Sequence, residues 1–117
     1  GILVSFFIDP VDEQLAASRD CGARFVELHT GSYAIAESEE EAKKELDKLT
    51  AAALTGGELG LRINAGHGLN YLNVKPVRYL SHLEELHIGH SIVSRAVFVG
   101  LEKAVKEMAD LIAALRG

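Results

Sequence analysis

Side chains able to do chemistry gather in three short glycine-containing segments: Glu27-Leu28-His29-Thr30-Gly31, Asn64-Ala65-Gly66-His67-Gly68 and Gly89-His90-Ser91. Each closes a strand-like run, and so falls where a parallel strand would hand over to a helix. Ligands of parallel α/β proteins bind at those carboxyl ends, where loops and helix N-termini converge. The last two segments suggest phosphate. Glycine lets backbone N–H groups approach an anion closely, and a helix starting near Ser91 adds the positive end of its dipole. Taken singly, the same residues have plainer readings. Gly66 and Gly68 fit ordinary turns, His67 a hydrogen-bonded loop residue, and His87 either a pocket wall or pocket filling. A metal site built from Glu27, His29, His67 and His90 is not expected, because no pair has the i, i+4 or Cys-x₂-Cys spacing of a ligand set.

The elements that must position these segments alternate strand and helix four times. An apolar run from Ile2 to Ile8 predicts the first strand. Asp9-Pro10 reads as a helix cap followed by proline at the first helical position. That helix runs to about Cys21, with Gly22 as the left-handed residue after it. The second strand, Arg24 to His29, puts Val26 and Leu28 on one face and Phe25, Glu27 and His29 on the other. Ser38 with Glu41 three residues on predicts a capping box. The helix it opens carries a stripe of Ala42, Leu46, Leu49 and Ala53, and Gly56-Gly57 is expected to end it. Leu61 to Ala65 predicts strand three, Val74 to Leu80 a short helix, and Glu84 to Ile88 strand four. Leu101, Val105, Met108, Ile112 and Leu115 make the apolar stripe of a last helix.

Strands alternating with helices predict a parallel sheet with right-handed crossovers. An open doubly wound sheet and part of a (β/α)₈ barrel both fit. Glu27 and His29 favour the barrel, whose mouth is polar, over an open sheet buried on both faces. Four units are about half of the ~250 residues of a full barrel.

The 117 residues carry a net charge of −5, with 12 Lys and Arg spread along the chain. No basic patch of the kind nucleic-acid binders use is present, so a bound anion must be held by local geometry. No stretch approaches the ~20 apolar residues of a membrane span. The single cysteine, Cys21, cannot make an internal disulfide, and it is expected to be structural. These features predict a cytoplasmic protein without nucleic-acid or membrane partners. His82, beside Ser81, reads as a solvated loop residue, and Glu37 to Glu41 as a capped, solvated helix start.

The same blocks, in order, resemble a known family. Glu27-Leu-His-Thr-Gly-Ser-Tyr-Ala34, Gly60-Leu-Arg-Ile-Asn-Ala-Gly-His-Gly-Leu-Asn-Tyr71, Asn73-Val-Lys-Pro76, Ile88-Gly-His-Ser-Ile92 and Arg95-Ala-Val-Phe-Val-Gly-Leu101 are similar to the C-terminal half of the pyridoxine 5′-phosphate synthases. The resemblance implies a TIM (β/α)₈ barrel, with residues 1–117 as its last four β/α units. It implies condensation of 3-amino-2-oxopropyl phosphate with 1-deoxy-D-xylulose 5-phosphate to pyridoxine 5′-phosphate, phosphate and water. It implies no cofactor and no metal, and a homo-oligomer, commonly an octamer. By the same resemblance His67 is the proton donor, Glu27 stabilises the transition state, and Gly68, Gly89 and His90 bind the aminoketone phosphate. Position 87, usually asparagine in the family, is histidine here. The family's N-terminal half, with its other proton-transfer groups and much of its sugar-phosphate site, has no counterpart in these residues.

A half barrel leaves unpaired strand edges that invite pairing. The expectation is therefore a chain completed by a missing N-terminal half or another copy, and inactive alone. Two alternatives stand beside the synthase: another phosphate-binding barrel isomerase or aldolase, for which loop residue Lys75 is a poor Schiff-base candidate, and an inert half-barrel assembly module.

Overall fold

The computed structural model describes residues 1–113 and contains one parallel sheet of four strands. These are β1 (Ser5–Ile8), β2 (Phe25–His29), β3 (Arg62–Gly66) and β4 (Leu83–His87), in the order β1-β2-β3-β4. That consecutive order is consistent with part of a barrel wall. A doubly wound sheet reverses its order at a switch point. Six helices accompany the strands: α1 (Asp12–Asp20), α2 (Gly31–Ala34), α3 (Glu39–Glu58), α4 (Val74–Val77), α5 (His90–Val99) and α6 (Leu101–Ala113).

Period-two alternation sorts the sheet into two unlike faces. Val26, Leu28, Ile63 and Ala65 are fully buried on one face, in a single core with Leu15 of α1 and Leu49 and Ala53 of α3. Full burial of a Val, Leu or Ile side chain contributes about 1.5–3 kcal/mol. Exposed ion pairs such as Lys43–Asp47 contribute at most about 1 kcal/mol, so this layer carries the stability. The other face is polar. Parallel pairing sets Phe7, Glu27, Asn64 and Glu85 side by side across the four strands, and His29, Gly66 and His87 one step further along. A bulge between Ile63 and Asn64 on the β4 side makes Glu84 the extra residue. Glu84 pairs with the Arg62 guanidinium, which also lies over the Phe25 ring.

Helix ends follow local chemistry, with differences from expectation. The Ser38 hydroxyl accepts from the Glu41 N–H, and the Glu41 carboxylate accepts from the Glu37 N–H, one residue before the cap. The predicted Asp9-Pro10 cap is not used. The Val11 N–H turns back to the Asp9 carbonyl, and α1 starts at Asp12 with Val11 as its uncapped N-terminal residue. Gly22, at φ 83°, closes α1 as expected, with Gly22 N–H to Arg19 and Ala23 N–H to Ser18.

Gly56-Gly57 does not end α3, which runs on to Glu58. The same closing pattern comes three residues later, with Gly60 at φ 83°, its N–H on Gly57, and the Leu61 N–H on Gly56. Both interior glycines serve packing. A Cβ on Gly56 would lie 2.6 Å from Ile63 Cδ1, and one on Gly57 would overlap the His82 ring. His82 is thus an exposed loop residue, as expected, but one that caps a helix face.

β1 starts at Ser5, three residues later than expected, although the Val4 carbonyl already accepts from the Arg24 and Phe25 N–H groups. In α6, Ala104 and Met108 are buried and Leu111 and Ile112 pack against the core, while Leu101 and Val105 of the expected stripe are 61% and 48% exposed. Leu115 lies outside the described residues. Among the described residues no helix is long and apolar enough to cross a membrane.

Because Gly56 lies against Ile63 and Leu15, Gly56→Val should lower the unfolding free energy by about 1–3 kcal/mol. A urea titration checks this, and an unchanged midpoint would show that the α3–β3 contact is loose.

Candidate active site

All five residues singled out by resemblance line one cavity. It has a volume of about 740 Å³ at the carboxyl ends of the strands, and Glu27, His67, Gly68, Gly89 and His90 are in its wall. Phe7, His87 and Ser91 complete the part that bears on chemistry.

His67 and Gly68 form a sharp turn directly after β3. Both have positive φ, 92° and 77°, and for histidine that conformation is uncommon and costs energy. Hydrogen bonds hold the turn in place. The buried Thr30 hydroxyl donates to the His67 carbonyl at 2.6 Å, and the Thr30 N–H donates to the Gly66 carbonyl at 2.9 Å. On the far side the Asn73 amide donates to the Gly68 carbonyl at 3.1 Å, while its own Oδ1 accepts from the Asn70 N–H at 2.7 Å. Ser91, in the first turn of α5, donates its hydroxyl to the Leu69 carbonyl at 2.7 Å. The β3 and β4 loops are thereby tied together around the cavity.

His29 sets the ring of His67. Its Nδ1 accepts from the Gly31 N–H at 3.0 Å, so in the neutral ring the proton sits on Nε2. The His29 ring touches both Phe7, with centroids 4.8 Å apart, and His67, 4.7 Å away, and Phe7 and His67 are 6.4 Å from each other. Aromatic neighbours at such spacings attract by about 0.5–1.5 kcal/mol.

Glu27 reaches the cavity from β2 and meets His87 from β4, with His87 Nδ1 2.8 Å from Glu27 Oε2. The pair crosses β3 above Gly66. A Cβ there would lie 2.5 Å from Glu27 Oε1 and 2.6 Å from the His87 carbonyl oxygen, so Gly66 is a close-approach residue rather than a turn residue. The other His87 nitrogen lies 3.1 Å from Glu85 Oε2. His87 therefore lines the pocket rather than fills it. Hydrogen bonding to Glu27, then to Glu85, holds its pKa above the ordinary imidazole value, against a smaller opposing effect of burial.

α5 opens at the cavity with Gly89 as its N-terminal cap residue and no side-chain cap. Its first N–H groups and dipole thus face the space beside Gly68, an arrangement suited to a phosphoryl group. Sequence reasoning placed His29 in a polar barrel mouth and gave no individual task to Thr30, Asn70, Asn73 or Glu85. The Asn70–Asn73 spacing in a glycine loop is a turn signal that points to such a net. The Thr30–His67 bond, 37 residues apart, has no local signal.

Residues 1–114 match the family model described as Pyridoxal phosphate biosynthesis protein PdxJ. Relatives named pyridoxine 5′-phosphate synthase include that of Trichlorobacter lovleyi, 53% identical over 112 residues, which are 96% of this chain and 47% of the relative. That of Geobacter sulfurreducens is 52% identical over the same shares of the two chains, and that of Photobacterium profundum 57% identical over 92% of this chain and 44% of its own length. The chain spans somewhat under half the length of the curated relatives it matches.

Thr30→Val keeps the shape of a buried side chain and removes the donor to the His67 carbonyl. It should destabilise the fold by about 1–3 kcal/mol and shift the amide resonances of His67 and Gly68. Unmoved resonances would mean that the turn is held elsewhere.

Proposed function

The chain belongs to the pyridoxal phosphate biosynthesis protein PdxJ family, and we propose that it is the C-terminal half of a TIM-barrel pyridoxine 5′-phosphate synthase. The whole enzyme would condense 3-amino-2-oxopropyl phosphate with 1-deoxy-D-xylulose 5-phosphate to pyridoxine 5′-phosphate, phosphate and water. The observation that carries the reading is the convergence of His67, Glu27, Gly68, Gly89 and His90 on one cavity.

In this reading each residue does what its place allows. The Gly68 turn and the uncapped start of α5 at Gly89 and His90 hold the aminoketone phosphate, which survives into the product. His67, steadied by the His29 ring and by the Thr30 bond to its carbonyl, gives protons as amine and ketone join, water leaves and the ring closes. The Glu27 carboxylate steadies the cationic iminium-like species that such a condensation passes through. The net charge of −5 supplies no general attraction for phosphates, so the local N–H groups must.

The half-barrel reading draws support from the consecutive strand order and the polar sheet face, where Glu85 and His87 are 63% and 42% exposed. β1 and β4 each pair with one strand only among the described residues, which leaves sheet edges for further strands. Exposed Val97, Phe98 and Leu101 on α5 and α6 offer an apolar surface to a further segment or a second copy.

Inorganic phosphate added to the ¹⁵N-labelled chain should shift the amides of Gly68, Gly89, His90 and Ser91 together, with His82 as the unaffected control. Silence at these amides, or shifts spread over unrelated loops, would overturn the phosphate site and leave an inert half-barrel module as the better reading. The chain alone, given both substrates, should form no pyridoxine 5′-phosphate. Turnover by residues 1–117 alone would contradict the half-barrel reading.

A further inference from the structure

We propose that His87 is a positioning residue that stands as an imidazolium between two carboxylates and fixes the direction in which Glu27 faces the cavity. The proposal rests on the reading of Glu27 as the charge-stabilising group, and it adds a residue to which that reading gives no task.

The argument is a count of protons. His87 Nδ1 lies 2.8 Å from Glu27 Oε2, and Nε2 lies 3.1 Å from Glu85 Oε2. Ionised carboxylates only accept, and a neutral imidazole carries one N–H. With a neutral ring, one nitrogen would turn its lone pair toward a carboxylate oxygen. Both contacts are hydrogen bonds only if a further proton is present, on the ring or on a carboxyl group. An ordinary imidazole binds its proton about two pKa units more tightly than an ordinary glutamate, so the ring takes it.

The surroundings agree with that assignment. Glu27 comes from β2 and Glu85 from β4, while the flanking β3 positions, Asn64 and Gly66, are uncharged. The nearest β3 cation, Arg62, is paired with Glu84. His67 and His90 line the same cavity and are the other titratable groups within it. The elevated His87 pKa has the two carboxylates as its causes, Glu27 first.

Two consequences follow for the site. Glu27 Oε2 is engaged by His87, so Oε1, beside Gly66, is the oxygen turned to a ligand. The imidazolium also cancels one of two negative charges that would otherwise stand next to the phosphate cradle. The sign of the pH dependence is set by the raised pKa. The anchorage is complete below about 6.5, the ordinary imidazole value, and is lost as pH rises through the elevated value in the folded chain.

The test is an NMR titration of the His87 ring in the full chain, with Glu27→Gln and Glu85→Gln beside it. The ring should titrate above about 6.5, and both variants should lower that midpoint, Glu27→Gln by more. A midpoint at or below about 6.5, or one that Glu27→Gln leaves in place, overturns the proposal. Should a variant fail to fold, the ring ¹⁵N shifts of the unaltered chain decide alone. Two protonated nitrogens at about pH 7, where an ordinary imidazole is mostly neutral, uphold it, and one bare nitrogen there refutes it. The phosphate-induced shifts at Gly68 and Gly89 report on the functional reading separately, so failure of one is not mistaken for failure of the other.

Discussion

The cavity depends on a missing side chain. Neighbouring strands lie about 4.8 Å apart, so residues on β2 and β4 are separated by nearly twice that distance. Glu27 and His87 nonetheless touch, because Gly66 between them presents bare backbone. The same strand end turns at once into the His67–Gly68 corner, whose positive φ values aim an imidazole and a peptide unit back over the sheet. A strained corner persists only where its surroundings over-determine it. Here Thr30 on one side and Asn73 on the other supply the bonds.

The two faces of the sheet divide the labour. The helix-covered face holds Leu15, Val26, Leu28, Leu49 and Ile63 out of water and pays for the order of the whole. That surplus lets the opposite face carry Glu27, Asn64, Glu85 and His87, residues that stabilise little and could do chemistry. Asn64 shows the cost, since its buried Oδ1 finds no hydrogen-bond partner among the described residues. Such a face suits the inside of a barrel mouth better than the middle of a doubly wound sheet.

How much of this was legible in the sequence depended on whether the cause was local. The alternation of Val26 and Leu28 against Phe25, Glu27 and His29 is a property of five consecutive residues, and it appears as read. So do the Ser38 cap and the left-handed Gly22. Glycine was ambiguous, because the residue has several uses. Gly60 and Gly22 close helices, Gly68 bends a turn, Gly56 admits Ile63, and Gly66 admits a carboxylate. Only the neighbours distinguish these uses, and the neighbours come from distant segments. The stripe of α6 forms the expected helix, yet its Leu101 and Val105 are exposed. Periodicity shows that a helix has an apolar side but not which part of it meets the core, and Ala104 and Met108 do so here. The site residues came from the motif resemblance, and their partners Thr30, Asn73 and Glu85 became visible only in three dimensions.

The central claim is that bare backbone at Gly66 lets β2 and β4 join their side chains over β3. The most direct measurement is the His87 ring titration in Gly66→Ala, compared with the unaltered chain. The account predicts that the added methyl group displaces Glu27 and returns the ring toward its ordinary midpoint of about 6.5. An elevated midpoint left intact by that methyl group would contradict it.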